Sequence, residues 1–245
     1  MENIRKNKVK YVVYVVIIVA VAFCGNWLYK DRRVHFEDNM MRQVICLKLG
    51  KDKDSKDITY RELETIEELD IGPVGEYETL IDIGKFRNLK KLRVNVEITS
   101  DDSYYELFQK NTDGRLYYPP VDEKKLIRVQ EELKIVVKKL KKFESFVFSN
   151  VNESCNITDF TFLKESKNLK ELTLCFVDAS DYSFLENYTE LKKVDLEQSN
   201  IEKADVLLNL KNVNRLILTG TPLAQNQEEV AKLRQAFPEA EIVVD

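Results

Sequence analysis

The chain has 245 residues, of which 44% are hydrophobic and 33% charged, so it can form at least one folded domain. Its formal net charge of −4 and its 7 glycines argue against nucleic-acid binding and against glycine-rich phosphate-binding loops. A single histidine and four cysteines without a C-x-x-C pair argue against a zinc site and a histidine-based catalytic triad, so we expect no metal, no cofactor and no catalytic residues.

The first predicted element is a membrane-spanning helix at residues 11–29. This segment carries no charge, and as a helix it would measure about 28 Å, close to the ~30 Å hydrocarbon core of a bilayer. Basic residues occur in the leader, residues 1–10, so the positive-inside rule places the leader in the cytoplasm and the rest of the chain outside. Two alternatives remain open, cleavage after Ala22 and lipidation at Cys24, and both also place the domain beyond the membrane.

Residues 30–57 are predicted to form a juxtamembrane linker and an N-terminal helical cap. Apolar residues recur at helical spacing between Asp38, which suits a helix start, and Gly50, which suits a helix stop. A capping box, Thr59-x-x-Glu62, then predicts a second short helix.

A repeated motif fills residues 58–223. The pattern L-x-x-L-x-L, with apolar residues at the L positions, occurs six times, and its last two steps have the same length. The six sets are Ile66/Leu69/Ile71, Leu89/Leu92/Val94, Phe143/Phe146/Phe148, Leu169/Leu172/Leu174, Leu191/Val194/Leu196 and Val213/Leu216/Leu218. Alternation within the motif predicts a strand with one buried face, and apolar residues at every third position between motifs predict short 3₁₀-like turns. Units of this kind stack into a solenoid.

Over residues 36–245 this pattern resembles the bacterial leucine-rich-repeat proteins of the internalin type, whose repeat length matches the regular steps from Leu169 to Leu191 and from Leu191 to Val213. The resemblance implies an α/β solenoid, a curved leucine-rich-repeat stack with short parallel strands on its concave face. It also implies a column that usually holds asparagine after each strand. In this chain the column reads Cys155, Val177, Ser199 and Thr221, and we interpret Cys155 as a structural thiol.

The step from Leu89 to Phe143 is more than twice as long as the regular steps and indicates an insertion at about 99–136. An amphipathic helix is predicted over 121–142. The part before it is rich in aromatic residues, among them Tyr104, Tyr105, Tyr117 and Tyr118. Two interpretations stay open, because these aromatics could contact a partner or could cover a small core within the insertion.

Residues 224–245 are predicted to form a C-terminal cap made of a helix and a strand. Asn226 and Glu229 suit a helix start, and Pro238 suits its end. The residues at 241–244 then read as a last strand that closes the stack.

The outward strand positions form columns across the concave face, where solenoids usually bind their ligands. From these columns and the residue after the fourth strand, we predict a binding surface of Arg93, Val147, Thr173, Phe176, Asp195 and Ile217. A second outward column reads Gly72, Asn95, Ser149, Cys175, Glu197 and Thr219.

We therefore expect a non-catalytic, membrane-anchored extracytoplasmic module for a protein or peptide partner, with a glycan as an alternative ligand. It would be a single-pass protein of the cell membrane with its N-terminus inside. Two other functions stay open, a structural envelope lipoprotein and the ectodomain of a multi-component signalling system.

Overall fold

A parallel sheet organises the chain. The computed structural model describes residues 29–98, 102–150 and 153–245. In these residues seven strands follow one another across the sheet in chain order. They are β1 (Glu68–Asp70), β2 (Lys91–Val94), β3 (Ser145–Ser149), β4 (Glu171–Cys175), β5 (Lys193–Asp195), β6 (Arg215–Ile217) and β7 (Glu241–Val243). Because neighbouring strands are parallel, the chain returns to the same edge of the sheet before each new strand, which makes the fold an α/β solenoid.

The first six strands coincide with the six predicted motifs. The middle apolar residue of each motif lies beside that of the next, so that Leu172 pairs with Val194 and Val194 pairs with Leu216. These three side chains are completely buried, and the same number of residues separates the strand partners at both steps. The assignment of inward and outward strand positions is confirmed for this column.

Short 3₁₀ helices return the chain along the opposite side of the second, fourth, fifth and sixth coils. They span Val74–Glu76, Ile81–Lys85, Thr161–Glu165, Ser183–Asn187 and Asp205–Leu207. Apolar side chains at every third position point inward, as illustrated by Leu185, Tyr188 and Leu191, which are at most 1% exposed. The main core therefore lies between the sheet and these turns, as the three-residue period predicted.

The N-terminal side of the sheet begins with two helices, α1 (Asn39–Lys48) and α2 (Tyr60–Leu63). Asp38 is the N-cap of α1 and accepts a hydrogen bond from Met41 N. The capping box between Thr59 and Glu62 is present at the start of α2, as predicted. Both helix starts therefore follow from the local sequence.

The amphipathic helix that the sequence placed in the insertion lies among the return segments of the coils. Helix α3 (Glu123–Val137) is shorter than the predicted 121–142, and it packs between the 3₁₀ helices of the coils before and after it. Glu132 joins it to the earlier coil, because its carboxylate accepts hydrogen bonds from Thr79 Oγ1 (2.6 Å) and Leu80 N (2.7 Å). The helix is thus the return segment of the third coil, and the extra chain is confined to the residues before it.

At the other end, two helices precede the last strand. They are α4 (Pro222–Gln225) and α5 (Gln227–Ala236), and Asn226 is the N-cap of α5. Strand β7 then pairs with β6, so that Ile242 lies beside Leu216. The predicted helix and strand are both present in this region.

The predicted leader at 1–10 and the predicted membrane segment at 11–29, including Ala22 and Cys24, lie outside the described residues apart from Tyr29. Among the residues that the structure does describe, no helix has the length and apolar character needed to span a bilayer.

Asn95 departs from the outward column in which its sequence position placed it. Its φ is +56°, and its side chain turns inward and is 1% exposed. The side-chain amide accepts a hydrogen bond from Val74 N (3.3 Å) and donates to Ser149 O (2.9 Å) and Ser154 Oγ (3.0 Å). It therefore joins three successive coils. The resemblance to internalin-type repeats implied that a later position of the repeat, the column that begins with Cys155, would bond such backbone groups.

Candidate functional site

The outward residues of the strands form an uncovered side of the sheet, which we call the open face. Its central column runs through Arg93, Val147, Thr173, Asp195 and Ile217, which lie side by side on β2 to β6. Each of these side chains is partly exposed. The open face is the surface that the sequence predicted as the concave binding face.

A groove of about 1130 Å³ lies where the open face meets the turns after the strands. The groove is lined by four of the predicted site residues, Arg93, Val147, Thr173 and Phe176. Asp195 and Ile217 continue the column beyond the groove without lining it. The structure thus brings together four of the six residues proposed for the binding surface.

Phe176 is the most prominent apolar group of the groove, with 52% of its surface exposed. Its φ is +58°, in the left-handed region that bulky side chains rarely adopt. Gln198 and Gly220, which follow the next two strands, also have positive φ. The N–H of Phe176 donates to Glu197 O (3.0 Å), so the ladder between coils continues through the residue at which the chain turns. The turn therefore holds an aromatic ring in the open at a position where a glycine or an asparagine would be less strained.

Arg93 and Asp70 form an ion pair on the central column, with Arg93 Nε 3.0 Å from Asp70 Oδ2. Burial raises the pKa of Asp70 from its ordinary 3.8 to about 6, although a hydrogen bond from Gly72 N and the charge of Arg93 act in the opposite direction. A small cavity of about 260 Å³ beside the pair is also lined by Tyr104. This carboxyl group is the most strongly perturbed acid of the open face among the described residues.

Cys175, Asp195 and Glu197 bring a thiol and two carboxylates within 4.8 Å of one another. No metal site was predicted from the sequence, and this cluster was not foreseen because Cys175 lies one coil before the two carboxylates. Burial, followed by the two carboxylates, raises the pKa of the Cys175 thiol to about 12. The thiol is therefore protonated at neutral pH and donates to Asp195 Oδ1 (3.6 Å), so a metal ion would have to displace that proton.

The aromatic residues of the insertion divide into two groups. Tyr104 is 2% exposed and Tyr118 is 7% exposed, and the hydroxyl of Tyr118 donates to Val96 O (2.9 Å). Tyr117 is 37% exposed, whereas Tyr105 is partly buried and has the ammonium of Lys110 4.7 Å from its ring centre. Of the two interpretations left open, packing in a core applies to Tyr104 and Tyr118, which are buried. Tyr117 is the most exposed of the four tyrosines and has the most surface with which to contact a partner.

Several lining residues of the groove were not selected from the sequence. They are Val96, Glu97, Ser149, Asn150, Glu153, Asn156, Cys175, Asp178 and Gln198. Most of them belong to the turns after the strands, where the irregular early coils break the alignment of the repeat. Ser149 and Cys175 lie in the second outward column, but for the others the available signal was the run of polar residues after each motif, which does not indicate which side chains face the groove.

No family model matches the chain, and no curated protein matches it. Similar solved structures include an internalin (inlF) from Listeria monocytogenes, with 17% identity and a TM-score of 0.46 over 85% of this chain and 56% of that chain. An internalin C2 from the same organism is 18% identical, with a TM-score of 0.47 over 85% of this chain and 83% of that chain. A leucine-rich-repeat protein of Leptospira interrogans is 16% identical, with a TM-score of 0.35 over 74% of this chain and 50% of that chain. The chain therefore spans about half the length of two of these three proteins, and its solenoid fold is established by the strand register.

Proposed function

We propose that the chain is a non-catalytic, membrane-anchored extracytoplasmic module that binds a protein or peptide partner on the open face of its sheet. The observation that carries this proposal is the groove, in which the exposed ring of Phe176 lies near Val147. An exposed aromatic group in a concave site supplies the desolvated centre that protein association requires, and the polar lining residues around it supply a rim.

The groups that line the groove favour binding over catalysis. The Cys175 thiol, which lines the groove, has a pKa raised to about 12 by burial, so it is a poor nucleophile at neutral pH. The single histidine of the chain, His35, does not line the groove and lies 4.0 Å from Glu37. The thiol does lie next to a carboxylate, that of Asp195, but its raised pKa means that it is not activated, which supports binding over catalysis.

The location outside the membrane is supported by the sequence alone. The uncharged segment at 11–29 and the basic residues before it favour a single span with the N-terminus inside. In this proposal α1 shields the first coil from solvent, and α5 with β7 shields the last coil. Protease added to cells whose outer envelope, if present, has been opened should digest the repeat domain. Digestion only after the cytoplasmic membrane is breached would show the opposite orientation.

A photo-crosslinking comparison tests the binding function. Benzoylphenylalanine in place of Phe176 keeps an aromatic group in the groove, and the same residue in place of Glu165 lies on the return side of the fourth coil. We expect discrete adducts with another protein in cells of the source organism from position 176 and none of the same size from position 165. Identical adducts from both positions, or none from position 176, would contradict binding on the open face.

A further inference from the structure

The two edges of the sheet differ in how their charges are balanced. At the edge where the strands begin, ion pairs join neighbouring coils. Lys90 Nζ lies 2.7 Å from Glu67, and Lys170 Nζ lies 2.9 Å from Glu144. Each of these carboxylates is matched by a lysine of the next coil, so this edge offers little net charge to a partner.

At the edge where the strands end, Asp70 pairs with Arg93, but other carboxylates have no matching cation. Five acidic residues lie at or next to the groove, and none of them forms an ion pair with another described residue. These are Glu97, Glu153, Asp178, Asp195 and Glu197. Among the described residues that line the groove, Arg93 is the sole basic residue, and it already pairs with Asp70. The groove therefore has a negative rim that favours a cationic ligand.

The apolar part of the groove lies within this acidic rim. Phe176 is half exposed and lies in the lining beside Asp178, with Val147 on the sheet nearby. An aromatic ring beside carboxylates suits a lysine or arginine side chain, because the aliphatic stem can pack on the ring while the charge meets the carboxylate. The positive φ of Phe176 means that the turn holds this ring in place at a conformational cost.

The size of the groove favours an extended peptide segment over a small cation. The lining reaches from Arg93 on β2 to Gln198 after β5. Neighbouring strands are about 4.8 Å apart, so three steps across the sheet cover roughly 14 Å, the length of about four extended residues. The groove is also lined by the hydroxyl groups of Ser149 and Thr173 and by the amides of Asn150 and Asn156, which bond each other (2.6 Å). Their remaining donors and acceptors can bond the backbone of such a segment.

We propose that the partner inserts an extended polypeptide segment in which lysine or arginine residues flank an apolar side chain. The apolar side chain packs on Phe176 and Val147, and the flanking cations pair with Glu97, Glu153 and Asp178. This inference rests on the proposed function, since it assumes a protein or peptide partner on the open face, and it adds the chemistry by which that partner is recognised.

Selection from a random library of displayed peptides, each about 12 residues long so that it exceeds the groove, tests the inference. The target is the full-length chain in nanodiscs of neutral phosphatidylcholine, so that the lipid adds no net charge. We expect the selected peptides to be enriched in lysine and arginine around an aliphatic or aromatic residue. Their affinity should fall about tenfold in the double variant Glu153→Gln/Asp178→Asn and in Phe176→Asn, and it should fall as the NaCl concentration rises.

The matched control is the double variant Glu67→Gln/Glu144→Gln, which changes the net charge equally but at the paired edge. Its affinity should change less than about twofold. Neutral or acidic peptides, or cationic peptides that bind the groove variants and the wild type equally, would overturn the inference while leaving a peptide-binding function intact. Failure to select any peptide would overturn both the inference and the proposed function.

Discussion

The three coils that contain β4, β5 and β6 differ from the three that contain β1, β2 and β3 in what holds neighbouring coils together. In the later coils the strand partners are evenly spaced in the chain, and identical positions carry aligned apolar side chains such as Leu172, Val194 and Leu216. At the N-terminal side buried polar side chains also join neighbouring coils, or join α1 to a coil. Asp38 and Asp82, which are at most 1% exposed, accept hydrogen bonds from backbone N–H groups of distant segments, as Asp38 does from Glu78 N and Asp82 from Asp38 N.

The difference follows from the regularity of the turns. Where every coil has the same length, the hydrogen bonds between strands satisfy the same backbone groups in each coil. The same apolar positions are also buried in each coil. Where the lengths vary, some backbone N–H groups lose their ladder partner, and a buried or partly buried carboxylate or amide satisfies them. Asn95 and Glu132 act in this way, as do Asp38 and Asp82. The two halves should therefore respond differently to apolar and to polar substitutions.

The largest effect is expected in the later coils, from a charge placed in the apolar column. Val194→Asp would bury a carboxylate between two leucines, so we expect it to lower the free energy of unfolding by more than about 4 kcal/mol. Asp195→Val, one residue along the same strand, should cost less than about 1 kcal/mol because that side chain is partly exposed. Chemical denaturation of both variants measures the difference, and equal losses would mean that the inside and outside of β5 are wrongly assigned.

In the earlier coils the largest effect should come from removing a carboxylate. Asp38 accepts hydrogen bonds from Met41 N (2.7 Å), Glu78 N (2.6 Å) and Thr79 N (3.1 Å). Asp38→Ala removes the acceptor of one buried and two partly buried N–H groups, and we expect a loss of about 3 kcal/mol.

Asp122 provides the matched control for Asp38, since it is also the N-cap of a helix but accepts a single exposed hydrogen bond, from Lys125 N. Asp122→Ala should cost about 1 kcal/mol. Thermal and chemical denaturation of the two variants compare an N-cap that joins α1 to the second coil with an N-cap that serves its own helix. Similar costs would show that the bonds from Asp38 to the second coil contribute little.

The next effect depends on pH and concerns Asp70, an acid of the earlier coils. Its pKa in the folded protein, about 6, lies above the ordinary 3.8, so the folded state holds the proton more tightly than the unfolded chain does. The stability that this proton contributes is present below about pH 4 and is lost as the pH rises to about 6. With allowance for its partial exposure, the loss is on the order of 2 kcal/mol.

The variant Asp70→Asn isolates this contribution from those of the other carboxylates. The free energy of unfolding of Asp70→Asn minus that of the wild type should be larger at pH 7 than at pH 4. Most of this increase should occur between pH 4 and pH 6. Denaturant titrations of both proteins at each pH give the difference in the free energy of unfolding. A difference that is constant with pH would mean that the Asp70 carboxyl ionises equally easily in the folded and unfolded chain.

The same contrast between halves explains what the sequence could predict. The six strands, their inward residues and the three-residue period of the turns follow from apolar spacing alone, because that spacing is set by which side chains are buried. The inward turn of Asn95 and the place of α3 could not be read from spacing. Both depend on which backbone groups an irregular turn leaves unsatisfied, and this is decided by residues in other coils.

For the candidate site, too, the sequence predicted the strand residues but not the residues of the turns. The central column of the open face follows from strand alternation, so Arg93, Val147 and Thr173 were identified from the sequence. Glu153 and Asp178 were not, because the turns after the strands have no fixed period. Charge balance was also hidden, since the lysine and the glutamate of each pair belong to successive coils, and only the strand register brings them together.

The smallest effect concerns the turn of the fourth coil, where the regular half places an aromatic ring in an unfavourable backbone conformation. Removing the ring in Phe176→Ala keeps a side chain at φ +58°, whereas Phe176→Asn places there a residue that tolerates this conformation, as Asn95 does. We therefore expect Phe176→Asn to be more stable than Phe176→Ala by about 0.5–1 kcal/mol and no less stable than the wild type. Chemical denaturation of the three proteins at one pH resolves such a difference. If both variants are equally destabilised, the ring contributes to the packing of the fold, and its exposure would no longer argue for a partner. If Phe176→Asn is as stable as the wild type and binds the selected peptides more weakly, then the strained phenylalanine costs the fold stability and serves recognition.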